Sequence, residues 1–79
     1  MTKLQREKAT RTLSDAAIER VKEIANKQGI TMTSLAKESG VPYVNITRMF
    51  SGSYGRVIAL RTLVALSDAL EVNVGLILK

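Results

Sequence analysis

The segment from residue 31 to residue 52 places the strongest constraint on how this chain can fold. Thr31 is a good helix N-cap, and Gly40 would end the short helix that follows it. Pro42 suits the first turn of the next helix, where its missing N–H is not needed. Ala36 lies where the two helices would approach each other, so a larger side chain there would push them apart. The segment therefore predicts two short helices joined by a tight turn.

The apolar positions of these two helices predict a shared core. Four of them face inward at helical spacing: Leu35, Val41, Ile46 and Met49. An ordinary helix pair in a small bundle would also fit this spacing. However, a small residue, a glycine four positions later and an apolar residue directly after it are typical of a helix-turn-helix motif.

Helical spacing continues along most of the remaining chain, and no convincing period-two run suggests a strand. Thr12 or Ser14 would cap a first helix, and Gly29 would end it. Further helices are predicted at about 42–50, 58–70 and 74–78. The sequence thus predicts a compact all-α domain of five helices over residues 12–79. Residues 1–11 are polar and have no apolar stripe, so we expect a flexible basic arm there.

The composition excludes several classes of protein. A chain of 79 residues indicates a single domain, and the absence of Cys and His excludes disulfides and most zinc sites, so we expect no metal and no cofactor. An enzyme is poorly supported, because the chain has no glycine-rich phosphate loop and no plausible pair of catalytic carboxylates. No apolar run approaches the roughly 18–20 residues of a membrane span, and residues 1–11 lack a signal-peptide apolar stretch. We therefore expect a soluble, cytoplasmic protein with no membrane partner.

The positive charge is concentrated in two blocks. The formal net charge is +5, and residues 1–11 carry four basic side chains against one acid. Residues 41–61 carry three arginines and no acid. Such blocks could form the electrostatic footprint of a polyanionic partner. A basic surface that only aids solubility is the alternative.

Two stretches of the chain follow the pattern of a known family. They comprise Gly29-Ile30-Thr31, residues 35–41, Ile46-Thr47-Arg48 and Gly52, and then residues 63–72. This pattern, which spans about residues 14–78, resembles the lambda-repressor-like (Xre/Cro type) helix-turn-helix domains. The resemblance implies a fold of five helices that binds operator DNA, often as a dimer.

In such a motif the third helix lies in the major groove, and its N-terminal part meets the base edges. Because Ile46 and Met49 face the core, four side chains lie on or beside the outward face and are predicted to read bases: Tyr43, Val44, Thr47 and Arg48. Arg48 could bond guanine O6 and N7, and Val44 could contact a thymine methyl. Alternatively, Tyr43 and Val44 cover the core.

Phosphate contacts would position this helix without reading sequence. The predicted contacts come from the start of helix 2, from helix 3 and from the loop after it: Thr31, Thr33, Asn45, Ser51, Ser53, Tyr54 and Arg56. Asn45 could instead bond an adenine edge. The arm would add Lys3, Arg6, Lys8 and Arg11. A solvated tail that contacts nothing is the alternative for the arm.

The C-terminal run of residues 72–78 is more apolar than a small domain easily hides. It could pair two copies into a homodimer on a pseudo-palindromic site of double-stranded DNA, or it could simply complete the core. The sequence as a whole favours a sequence-specific transcriptional regulator, a repressor of phage, plasmid or antitoxin type. The alternatives are an accessory or architectural DNA-binding protein and a protein-interaction module that keeps the fold without binding DNA.

Overall fold

The computed structural model describes residues 2–78 and contains five α-helices and no strand over this range. The helices are α1 Lys3–Gln28, α2 Met32–Ser39, α3 Tyr43–Ser51, α4 Leu60–Ala69 and α5 Val74–Leu78. The all-α, five-helix prediction is therefore confirmed. Met1, part of the predicted arm, and Lys79, the last residue of the predicted domain, lie outside the described residues. Across residues 2–78, none of the helices is both long and apolar enough to cross a membrane.

Helix α1 starts at Lys3, much earlier than predicted from Thr12 or Ser14. Thr2 caps it: the Thr2 hydroxyl oxygen accepts from the Gln5 N–H at 3.2 Å, and the Gln5 side-chain oxygen accepts from the Thr2 N–H at 2.9 Å. This reciprocal capping box satisfies two helix-end donors. Residues 3–11, expected as a flexible arm, instead form the first turns of α1 and are all exposed. A missing apolar stripe shows that a segment has no packing partner, which does not prevent it from being helical.

The turn between α2 and α3 is held by its own side chains and backbone. Gly40 ends α2 with φ 76°, a left-handed conformation that glycine adopts at little cost, and its N–H donates to the Ala36 carbonyl at 3.0 Å. Ser39 directly precedes this glycine and is half buried. Its hydroxyl donates to the Leu35 carbonyl at 2.6 Å and accepts from the Val41 N–H at 3.2 Å, so it fixes the entry into α3.

The core lies between α1 on one side and α2, α3, α4 and α5 on the other. Its buried apolar members are Ala17, Ile18, Val21, Ala25, Leu35, Val41, Ile46, Met49, Ile58, Leu63, Leu66, Leu70 and Ile77. They include all four inward positions predicted for the two-helix motif. Helix α2 packs on α3 and α4, while α1 packs on α3, α4 and α5. Each fully buried Leu or Ile contributes roughly 1.5–3 kcal/mol to the stability of the fold. Burial of Ile46 and Met49 therefore holds one face of α3 against the core, while the opposite face stays exposed.

The C-terminal segment is tied to α1 by side-chain bonds to its backbone. The Gln28 amide donates to the Leu70 carbonyl at 2.7 Å, and the Arg20 guanidinium donates to the Leu76 carbonyl at 3.1 Å. Ile77 is buried, whereas Leu76 and Leu78 are about half exposed. Part of the run 72–78 therefore completes the core, and part of it stays on the surface.

Candidate nucleic-acid interface

Helix α3 divides into a buried face and an open face. Ile46 and Met49 are buried, so the open face is the one about half a turn away. Val44, Thr47, Arg48 and Ser51 are spaced by three, four and seven positions, which places them in one stripe along that face. The stripe is available because the core holds α3 only from the opposite side.

The four residues predicted to read bases lie on or beside this stripe. Tyr43 and Val44 are 50% and 51% exposed, so neither belongs to the buried core. Arg48 is exposed, and Thr47 is half buried. The Thr47 hydroxyl donates to the Val44 carbonyl at 2.8 Å, which leaves its oxygen free to accept. Tyr43 stands at the first helical position, on one flank of the stripe.

The end of α3 and the loop after it present three of the predicted phosphate contacts on the surface. Ser51, Ser53 and Arg56 are exposed, and the two serine hydroxyls lie 2.8 Å apart. The Ser53 N–H donates to the Arg48 carbonyl at 2.9 Å, so the loop folds back on the end of α3. Tyr54 is half buried and packs against the core.

A buried hydrogen bond anchors the far end of this loop to α1. The Ser14 hydroxyl oxygen accepts from the Ile58 N–H at 2.8 Å, and Ser14 is buried. A hydrogen bond of this kind contributes about 1 kcal/mol. Sequence reasoning assigned Ser14 only as a helix cap, because a contact between positions 44 residues apart leaves no local signal.

The remaining predicted phosphate contacts lie in two different places. Thr31 and Thr33 are exposed at the start of α2, where the Thr31 hydroxyl oxygen already accepts from the Ser34 N–H at 3.1 Å as the helix cap. Asn45 is half buried and lies on the flank of α3 opposite Tyr43. It shares a cleft there with Arg61, a residue that the sequence placed in the second basic block without giving it a contact.

The positively charged surface around α3 has a border that the sequence did not reveal. Residues 39–67 contain no acid, and the exposed Arg48, Arg56 and Arg61 all belong to that stretch. However, Asp15 and Glu19 of α1 line a small pocket with the residues that follow α3. The positive surface around α3 is therefore bordered by carboxylates on the side of α1.

The basic residues of the predicted arm surround the first turns of α1. Lys3 and Arg6 form one pair at a spacing of three, and Lys8 and Arg11 form a second pair on another side of the helix. All four are exposed and line a shallow surface groove with Val57. The loop that leads into α4 is therefore close to this part of α1.

A family model described as "Helix-turn-helix" matches residues 21–77, which cover the motif and all of α2 to α4. The chain belongs to the helix-turn-helix family. The type is that of Cro and C1, as the resemblance to lambda-repressor-like domains predicted. No curated protein and no solved structure matches the chain.

Membership of the helix-turn-helix family makes the protein a DNA-binding regulator. The family is one of DNA-binding proteins and not of enzymes. The matched region begins within α1, so residues 2–20 lie outside it. The basic first turns of α1 are therefore a feature of this chain that the family match does not explain.

Proposed function

We propose that this helix-turn-helix protein is a sequence-specific transcriptional repressor of phage, plasmid or antitoxin type that reads the major groove with α3. One observation carries the proposal: Val44, Thr47 and Arg48 form an open stripe on α3, whose opposite face packs on the core, and this stripe lies within an acid-free stretch of the chain. A helix about 10–12 Å wide fits a major groove of about 12 Å.

The stripe offers three kinds of base contact. Arg48 would bond guanine O6 and N7 with two N–H groups, the commonest specific contact in the major groove. Val44 would pack on a thymine methyl. The Thr47 oxygen would accept from a base amino group, and Tyr43 would contact the sugar or phosphate beside the first base pair.

The phosphate contacts would hold α3 in register. On one side they come from Thr31 and Thr33 with the open N–H groups at the start of α2. On the other side they come from Ser51 at the end of α3, from Ser53, Tyr54 and Arg56 of the loop, and from Asn45 on the flank of α3. Lys3, Arg6, Lys8 and Arg11 would reach further phosphates from α1. These contacts give affinity and salt dependence without reading sequence.

A homodimer would place two copies of α3 about one DNA turn apart, roughly 34 Å, on a pseudo-palindromic operator. The exposed Leu76 and Leu78 support the predicted interface through residues 72–78. The interface needs further apolar surface, because α5 has only five residues.

Selection of bound duplexes from a random pool at two salt concentrations tests this function. We expect one enriched half-site that the Arg48→Ala variant reads less strictly at a single base pair, with a loss of roughly 1–3 kcal/mol. Lys37→Ala, on the exposed side of α2, is the matched control and should keep full specificity.

Each other outcome of the selection points to a different function. Salt-sensitive binding without any enriched sequence would identify an accessory or architectural DNA-binding protein. An absence of binding would identify a protein-interaction module, for which the exposed Tyr43 and Val44 would be the contact surface. A uniform loss across all sequences in Arg48→Ala would make Arg48 a phosphate contact.

A further inference from the structure

A cleft of about 370 Å³ lies beside the α2–α3 turn, between the flank of α3 and the start of α4. Its polar side chains are Asn45 of α3, Tyr54 of the loop and Arg61 and Thr62 of α4, together with Ser39, whose hydroxyl is already bonded within the α2–α3 turn. We call it the Arg61 cleft. None of the predicted base-reading residues lines it.

The cleft contains side-chain donors that no protein group uses. Asn45, Tyr54 and Thr62 are half buried, yet within residues 2–78 none of their side chains makes a hydrogen bond. Their polar atoms still reach solvent, so the amide N–H and the two hydroxyls can donate to a ligand in place of water. A ligand with several oxygen acceptors would use all three donors.

The charge of the cleft selects an anion. Arg61 is exposed at the rim, and no lining residue carries a negative charge. A guanidinium presents a fork of N–H donors that matches two oxygens of a phosphate, and its positive charge strengthens both bonds. An amide and two hydroxyls beside that fork complete a set of donors for one phosphate group.

The position of Asn45 connects the cleft with the duplex. On α3, Asn45 follows Val44 and points about 100° away from the open stripe. When a helix fills the major groove, the stripe meets the bases and the two flanks face the phosphates of the two strands. The flank that carries Asn45 leads into the Arg61 cleft, so one strand would run along its mouth.

We propose that the Arg61 cleft binds one phosphate group of the DNA backbone, on the strand that faces α4. This inference rests on the proposed DNA-binding function, and it adds Arg61 and Thr62 to the interface. Arg61 makes the charge-assisted contact, while Asn45, Tyr54 and Thr62 orient the phosphate oxygens.

Arg61→Gln and Lys37→Gln test the proposal as matched variants, since each removes one exposed positive charge. We expect Arg61→Gln to weaken binding of the selected operator at least about tenfold and to weaken non-sequence-specific duplexes by a similar factor. The slope of log K against log salt concentration should become shallower by about 0.9, the value for one phosphate. Lys37→Gln should leave the slope and both affinities nearly unchanged.

The binding measurements distinguish a failure of the phosphate site in the Arg61 cleft from a failure of the proposed DNA-binding function. Equal effects of Arg61→Gln and Lys37→Gln, with the wild type still binding DNA, would overturn the cleft alone. A wild type that binds no duplex would overturn both.

NMR chemical-shift changes of the backbone amides of Asn45 and Thr62, measured in titrations, identify the source of the phosphate. Shifts with duplex DNA only would assign the cleft to the phosphodiester backbone, and shifts that also follow inorganic phosphate at constant ionic strength would support the same oxyanion chemistry. Shifts with neither would contradict the proposal.

Discussion

At the scale of single residues, Glu71 is the position where the backbone conformation is strained. Among residues 2–78 it is the non-glycine residue with positive φ, at 57°. It follows α4 in a Schellman arrangement, in which the Val72 N–H donates to the Ser67 carbonyl at 3.0 Å and the Glu71 N–H donates to the Asp68 carbonyl at 3.1 Å. Glycine is the usual residue at this position, because a Cβ makes the left-handed conformation cost about 1 kcal/mol.

Glu71→Gly should therefore raise the free energy of unfolding, by about 0.5–1 kcal/mol. The gain comes from relief of the left-handed conformation and is partly offset by the greater freedom of glycine in the unfolded chain. Urea denaturation at pH 7 measures it. Glu23→Gly, at an exposed helical position within α1, is the control and should lower the same quantity by about 1 kcal/mol. A loss of stability in both variants would contradict this account of Glu71.

At the scale of elements, α1 consists of two unlike halves. The first buried residue of this 26-residue helix is Ser14, so residues 3–13 contribute nothing to the core. The capping box at Thr2 stabilises the free end, whereas Lys3 in the first turn opposes the helix dipole. A helical segment of this length without packing is marginal in water. Any contact that this half of α1 makes with DNA would therefore depend on its basic side chains and not on apolar packing.

Deletion of residues 2–11 should consequently separate folding from DNA binding. Thr12 remains as a helix cap and the Ser14 hydroxyl keeps its bond from the Ile58 N–H, so we expect the midpoint of urea denaturation to change little. DNA affinity should fall and its dependence on salt should become weaker, by about 0.9 in slope for each phosphate that these residues neutralise in the intact protein. Fluorescence anisotropy on one duplex over a series of salt concentrations measures both. An unchanged affinity and slope would make this half of α1 a solvated extension.

The accuracy of the sequence predictions varied between elements for identifiable reasons. Helices α2 and α3 were predicted almost to the residue, because Thr31, Gly40 and Pro42 are local signals. The start of α1 was missed because Thr2 and Gln5 cap a segment that has no buried face. The open stripe of α3 follows from helical spacing alone. The Arg61 cleft and the carboxylates beside the loop depend on packing between distant elements, which spacing does not encode.

At the scale of the whole molecule, four exposed apolar side chains from different elements meet around one groove. Leu13 of α1, Val57 of the loop, Leu60 of α4 and Leu78 of α5 line it, with buried core residues as its floor. The groove has a volume of about 210 Å³. It extends the predicted dimer segment 72–78 beyond α5, and an apolar patch shared by three helices is typical of a surface that another protein covers. We propose a second copy of the chain as that protein.

Leu60→Gln tests the proposed homodimer, because Leu60 is 63% exposed at the rim of the groove that the second copy would cover. Burial of a leucine contributes roughly 1.5–3 kcal/mol, and a two-fold axis uses the residue twice, so the dimer dissociation constant should rise at least about tenfold. Leu4→Gln is the matched control: Leu4 is 61% exposed but lies outside the groove, and its substitution should leave the constant unchanged. Sedimentation equilibrium measures the constant, and operator affinity should fall in parallel only for Leu60→Gln. A wild type that sediments as a monomer both free and on DNA would exclude the dimer.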